Sequence, residues 1–224
     1  TFAADAKGTV EFFSRRSRPE NGVYLQSGVI YRNGKKIMAA ADIRIPGVHN
    51  IENYMAAACA VEGLATDEDI DEVARTFAGV EHRIEFVREK DGVKYYNDSI
   101  ASSPSRAIAG LHSFHQKLVL IAGGYDKKIP FDVLGPEICA HVRLLILCGA
   151  TAEKIEADVC GAPEYQPGQP EILHAKTLAE AVQLAHAHTV PGDIVTLSPA
   201  SAAFDQFKNF MVRGETYKSL VQAL

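Results

Sequence analysis

Residues 118–128 read Leu-Val-Leu-Ile-Ala-Gly-Gly-Tyr-Asp-Lys-Lys: five apolar residues in a row, a glycine pair, then two cations two residues further on. A run so short and so evenly apolar reads as a strand buried on both faces, the kind a parallel sheet uses between two helix layers. Two more runs stop in the same manner. Residues 93–96 end at Asn97-Asp98-Ser99, and residues 194–197 end at Ser198-Pro199-Ala200-Ser201. In an open α/β sheet the ends of neighbouring strands lie side by side, so groups distant in sequence can converge on one crevice. The functional residues are sought there.

Working outward, strand, turn and helix alternate from about residue 81. Strands are expected at 84–88, 93–96, 118–122, 144–148, 172–175 and 194–197, with Asp91-Gly92 as a hairpin turn. Helices are expected at 104–115, 131–140, 151–159, 178–186 and 203–224, the last divided near Gly214. Such alternation implies an α/β fold with a Rossmann-like, mainly parallel sheet and helices on both faces. Residues 1–80 read differently. Short strands at 10–13, 23–26, 29–32 and 35–39, with Asn33-Gly34 as a hairpin turn, make a β-meander, and helices follow at 50–62 and 67–77, the latter capped by Thr66. With no second layer apparent, this part looks like the back of something larger.

The 224 residues are 47% hydrophobic and 23% charged, with a formal net charge of -5. That balance is ordinary for a globular protein, supplies no basic field for nucleic acid, and includes no apolar run long enough to span a membrane. A soluble, cytoplasmic monomer with small-molecule partners is expected. Cys59, Cys139, Cys148 and Cys160 sit among apolar residues without knuckle or redox-pair spacing and are read as reduced core or near-core residues, with Cys160 beside Gly161 as the candidate exception. No HExxH or CxxC occurs, and His186 and His188 point to different faces of a helix, so no metal ligands are assigned.

Each chemical candidate has an ordinary reading beside it. Asn50 and Asn53 lie on one helix face and could read a purine edge, or cap the helix. Arg83, in Glu81-His82-Arg83 at the joint between the two parts, can neutralise a phosphate if they close, or stand as a surface arginine. Asp98 at a strand end suits a ribose hydroxyl or a metal-bound water, while Ser102 and Ser103 can meet an anion or cap a helix. Lys127 can hold a substrate carboxylate or be a solvated turn residue. Phe204, Phe207 and Phe210 form one helical ridge, explained by default as core, and Arg213-Gly214 reads as a helix end.

Taken in order, GVHNIEN, EHRIEF, YYNDSIASSP, GGYDKK and LSPASAAFDQFKNFMVRG resemble the Mur ligases from about residue 46 onward, and their D-glutamate-adding branch in particular. The resemblance implies a three-domain enzyme of peptidoglycan precursor synthesis that uses ATP and Mg2+. Its substrates would be D-glutamate and UDP-N-acetylmuramoyl-L-alanine, joined through an acyl phosphate. Residues 1–80 would then be the remainder of a central ATP-binding domain, and residues 81–224 a C-terminal, amino-acid-binding domain. The phosphate-cradling loop and the magnesium ligands would belong to a preceding part, leaving this piece inactive alone. Carried across, Asn50 and Asn53 fall near adenine, Arg83 at the ATP phosphates in a catalytic role, and Asp98 near the ribose. Lys127 falls on a D-glutamate carboxylate, with Ser102, Phe204 and Phe210 lining the same pocket. Ile100 and Ala203 depart from the family pattern, where a lysine and a serine are common, which opens the amino-acid specificity. Folylpolyglutamate synthase, other amino-acid-adding Mur ligases and a non-catalytic binding module are the alternatives.

Overall fold

The computed structural model describes residues 2–224. The chain forms two compact units, Thr1–Ala78 and Gly79–Leu224.

In the first unit, strands β1 (Phe12–Ser14), β2 (Gly22–Gln26), β3 (Val29–Arg32) and β4 (Lys35–Ala39) lie in that order in one sheet. Strands β2 to β4 are the expected meander, with Ser27 and Gly28 joining β2 to β3 and Asn33 and Gly34 joining β3 to β4, all at positive φ as tight hairpins require. Strand β1 departs from it, since it pairs with β2 in parallel. Helices α1 (Val48–Ala60) and α2 (Asp67–Thr76) cover the sheet, burying Val23, Ile30, Met38, Met55 and Ala74. Thr66 caps α2 in a reciprocal capping box with Asp69. Helix α1 starts two residues earlier than expected, with Gly47 at the N-cap, so Asn50 is not the cap.

The second unit is a six-stranded sheet in the order β5-β6-β10-β7-β8-β9. Its strands are β5 (Glu85–Lys90), β6 (Val93–Asn97), β7 (Leu118–Ala122), β8 (Val142–Cys148), β9 (Glu171–Ala175) and β10 (Ile194–Leu197). Only β5 is antiparallel, through the Asp91-Gly92 hairpin. Helices α3 (Pro104–Leu111), α4 (Leu134–His141) and α5 (Ala152–Cys160) carry the chain from β6 stepwise to β9. Their apolar residues share one core layer with Leu118, Leu120, Leu145 and Leu147. Helix α6 (Leu178–Ala187) then brings the chain back to β10, and α7 (Phe210–Gln222) follows. Both lie on the opposite face, packed with Val119, Ile121, Leu144 and Ile146. The division follows from handedness: right-handed crossovers put helices on one face while strands are added in one direction, and on the other when the direction reverses.

Helix α7 corrects the sequence reading. Residues 203–209 are turns, the helix begins at Phe210, and it runs through Gly214 without dividing. Packing explains the glycine. A Cβ there would collide with His82 Nδ1 and come within 3.0 Å of Asn97 Nδ2. No helix among the described residues is long and apolar enough to cross a membrane. Cys139 and Cys148 are buried, Cys59 is half-buried and Cys160 is exposed.

Candidate functional site

The returning strand β10 sits between β6 and β7 and is parallel to both, with Leu197 level with Asn97 on one side and Ile121 on the other. Three loops therefore leave one edge of the sheet together: 98–103 after β6, 123–128 after β7 and 198–209 after β10. Their backbones are laced to one another. Asp98 N donates to Leu197 O at 2.8 Å, Gly123 N to Pro199 O at 2.8 Å, and Tyr125 N to Ala202 O at 2.9 Å. Gly123 and Gly124 permit this approach, since a Cβ on either would strike the carbonyl of Cys148 or Ala202. The groups that this pair lets in are protein carbonyls.

Arg213 ties the rim from beneath. Only 3% exposed, it donates through Nε to Ser99 Oγ (3.0 Å), through Nη2 to Ser99 O (2.9 Å) and Ser201 O (3.0 Å), and through Nη1 to Ala202 O (3.1 Å). Burial pulls its pKa down to about 10, partly offset by the Asp205 carboxylate. Reading Arg213-Gly214 as a helix end was thus mistaken; the guanidinium is the knot between two loops. Ser99 passes the link on to α7 by donating to Phe210 O at 2.8 Å. A second knot joins the Thr151 hydroxyl to the Ser201 hydroxyl at 2.8 Å and accepts from Gly124 N at 3.0 Å. Asp205 accepts from Ala150 N at 3.2 Å.

Asp98 is turned inward. One carboxyl oxygen accepts from Ile84 N at 3.3 Å, the other from the Ser198 hydroxyl at 2.8 Å, and the residue is 4% exposed. Burial raises its pKa to about 7 against these hydrogen bonds and the nearby Arg83 and Arg106 cations. Arg83 itself is exposed, between His82 and Ile84, both at positive φ. The buried His82 ring lies 3.0 Å from Asn97 Nδ2, and Glu85 accepts from both His82 N (2.9 Å) and Asn97 Nδ2 (3.0 Å). Lys218 closes this corner by bonding Glu81, Glu85 and Glu215, which raises its pKa despite the opposing cost of burial.

Lys127 is exposed on the β7 loop, and Ser102 is half-buried at the foot of α3. Phe204 is 64% exposed and meets Tyr125 edge-on, with ring centroids 6.0 Å apart. Phe210 packs edge-on against His82 at 5.9 Å. The expected ridge of three phenylalanines does not form, because Phe204 and Phe207 precede the helix. Ser102, Lys127 and Phe204 thus belong to the three loops of one rim. Asn50 and Asn53 belong to the first unit, where Asn53 Nδ2 donates to Asn50 Oδ1 at 3.1 Å and Asn50 Nδ2 to Pro46 O at 2.6 Å. The buried Asn50 so orients the exposed Asn53 amide.

Two groups of three potential metal ligands occur among the described residues: Glu81, His82 and Glu215, and His112, Glu137 and His141. The Lys218 ammonium already occupies the first. Neither is the all-oxygen set that magnesium takes.

Loops gathered at the carboxyl ends of parallel strands, where α6 and α7 change face, lie at a topological switch point, the place where open α/β sheets carry their binding crevices. Comparison makes this specific. Residues 82–201 match the family of the Mur ligase, glutamate ligase domain, and the chain belongs to that family. It is 51% identical over 229 aligned residues to a UDP-N-acetylmuramoylalanine--D-glutamate ligase of Acetivibrio thermocellus, covering 100% of this chain and 49% of the relative. The ligase of the same name from Clostridium beijerinckii is 49% identical over 224 residues, with the same shares covered. The chain thus spans about half the length of these curated relatives. Among solved structures, a pseudomurein peptide ligase type C from Methanothermus fervidus superposes with a TM-score of 0.65 at 14% identity, over 93% of this chain and 42% of the other. Mycobacterium tuberculosis folylpolyglutamate synthase gives 0.60 at 13% identity, over 88% and 46%. These last two show a shared fold.

Proposed function

We propose that the protein carrying this chain is an ATP-dependent amide ligase that adds D-glutamate to UDP-N-acetylmuramoyl-L-alanine in the cytoplasmic steps of peptidoglycan precursor synthesis. We further propose that residues 81–224 hold the amino acid and residues 1–80 contribute to ATP binding. The observation that carries this reading is identity near one half, over the whole of this chain, with ligases of that name.

In the proposed reaction the alanyl carboxylate attacks the γ-phosphorus of ATP, giving an acyl phosphate and ADP. The D-glutamate amine then attacks the acyl carbon, the amide bond forms, and inorganic phosphate leaves as the tetrahedral intermediate collapses. Little covalent work is asked of the protein, so positioning and charge neutralisation dominate. Lys127, a cation on a loop that Gly123 and Gly124 hold against its neighbours, would bind a glutamate carboxylate. Ser102 would donate to the same substrate, and Phe204 and Phe210 would flank its carbon chain. Arg83 would neutralise phosphate charge as it develops. The Asn50-Asn53 pair suits a purine edge, because Asn50 pre-orients an exposed amide that keeps both donor and acceptor capacity. Asp98 sets the Ile84 backbone and hence the presentation of Arg83; a ribose hydroxyl would have to replace the Ile84 amide or the Ser198 hydroxyl to reach it. Magnesium is used by such ligases generally, and neither of the two ligand groups among the described residues fits it.

The test is phosphate release by the complete protein with ATP and UDP-N-acetylmuramoyl-L-alanine, offering D-glutamate, L-glutamate, L-lysine or diaminopimelate as the amine. Release with D-glutamate alone is expected. Lys127→Ala should raise the KM for D-glutamate at least about tenfold, since a charged hydrogen bond is worth roughly 1.5–3 kcal/mol. Turnover with another amine, or an unchanged KM in the variant, contradicts the reading.

A further inference from the structure

At the edge of the second sheet opposite the rim, where β7 and β8 begin, α3 and α4 end beside each other. His112 caps the end of α3, while Glu137 and His141 lie one turn apart on α4. His112 Nε2 is 2.6 Å and His141 Nε2 is 3.5 Å from the same oxygen, Glu137 Oε2. The two imidazole rings are 4.9 Å apart, and one ligand atom from each residue falls within 4.8 Å of the others. We propose that His112, Glu137 and His141 form a binding site for a borderline transition-metal ion, Zn2+ in the first instance, which staples α3 to α4.

The chemistry fits on three counts. Two imidazole nitrogens and one carboxylate oxygen are an established zinc donor set, and they leave a fourth position for water or an exogenous ligand. Tetrahedral zinc with bonds of about 2.0–2.2 Å needs its ligands about 3.4 Å apart. The His141–Glu137 separation already matches, and the His112–Glu137 contact reaches it by a small rotation of two partly exposed side chains. The surroundings also favour a cation, because α3 and α4 both bring their carboxyl ends, the negative ends of their dipoles, to this point. The neighbouring Lys117 ammonium does not occupy the place, since it donates to Cys139 O at 3.2 Å. An open hollow of about 500 Å³, lined by His112, His115 and His141, gives access from solvent.

The test titrates Zn2+, and separately Co2+, into the full chain with its thiols reduced. One equivalent is expected to bind with micromolar affinity. Bound Co2+ should show visible bands of a four- or five-coordinate nitrogen and oxygen site with no sulfur-to-metal charge transfer, and should shift the ring protons of His112 and His141. His112→Ala, His141→Ala and Glu137→Gln should each weaken binding at least about tenfold. His174→Ala, which alters a histidine paired with Glu156 elsewhere, should leave it unchanged. These are surface positions, and unchanged circular dichroism checks the fold of each variant. Absence of saturable Zn2+ binding below about 1 mM overturns the proposal. So does binding that survives His112→Ala and His141→Ala, or Co2+ shifts confined to other residues.

Discussion

Arg213→Met removes the knot beneath the rim while keeping an unbranched side chain of similar length. Four hydrogen bonds from a cation are lost. Their consequences differ. Ala202 O keeps the Tyr125 amide as a donor, and the Ser99 hydroxyl keeps Phe210 O as an acceptor. Ser99 O and Ser201 O keep no other donor among the described residues, and each buried unpaired carbonyl costs roughly 1–3 kcal/mol. Loss of the charged bonds adds to this, while removing a buried cation and admitting water through the adjoining cavity of about 20 Å³ relieve part of it. The expected net loss is about 3–5 kcal/mol, in the range measured when one partner of a buried charged network is removed. Arg213→Lys should lose about 2 kcal/mol, because one ammonium cannot span from Ser99 to Ala202. Urea unfolding followed by circular dichroism reads the global effect, and hydrogen exchange at residues 198–202 reads the local one. An Arg213→Met protein within about 1 kcal/mol of the parent, with unchanged exchange in that loop, would show that Arg213 does not hold the two loops together.

Three other outcomes follow from the same geometry. Gly214→Ala, which gains about 1 kcal/mol of helix propensity, should still destabilise by about 1–3 kcal/mol, because its methyl group overlaps the buried His82 ring; a more stable variant in urea unfolding would contradict the packing. Asp98 has a folded-state pKa of about 7 against an ordinary 3.8, so its contribution is full below the unfolded value and is lost as pH rises from about 4 to about 7. The span is worth on the order of 4 kcal/mol at most, and Asp98→Asn should flatten that part of the stability curve; an unaltered pH profile would count against burial as the cause. Arg83→Ala in the complete protein should lower kcat more than it alters ATP affinity, and steady-state kinetics showing the opposite split would remove Arg83 from phosphate neutralisation.

Much of the second unit was legible because its signals are local. Strands buried on both faces leave uniform apolar runs, and Asp91-Gly92 announces a hairpin by the φ it needs, as Asn33-Gly34 does in the first unit. The crevice was legible too, since parallel strands bring their carboxyl ends to one edge whatever their order. What stayed hidden depends on contacts across the chain. Arg213 sits next to a glycine in a pattern that imitates a helix end, and only the return of β10 between β6 and β7 shows that its side chain reaches Ser99, 114 residues away. Gly214 reads as a breaker until His82 is seen against it. Asp98 looks like an exposed strand-end acid, and nothing local says that Ser198 covers it. His112 and Glu137 are 25 residues apart, a spacing that matches no metal motif and becomes a pair only through the contact of α3 with α4. The parallel pairing of β1 with β2 likewise cannot be read from alternation within three residues.

The rim at the carboxyl ends of β6, β10 and β7 is the proposed seat of D-glutamate. The most direct measurement is a crystal structure of the complete protein with D-glutamate bound. A substrate carboxylate on Lys127 Nζ, a second contact from Ser102, and the carbon chain between Phe204 and Phe210 are expected. D-glutamate seated away from these loops, with Lys127 left in solvent, would contradict it.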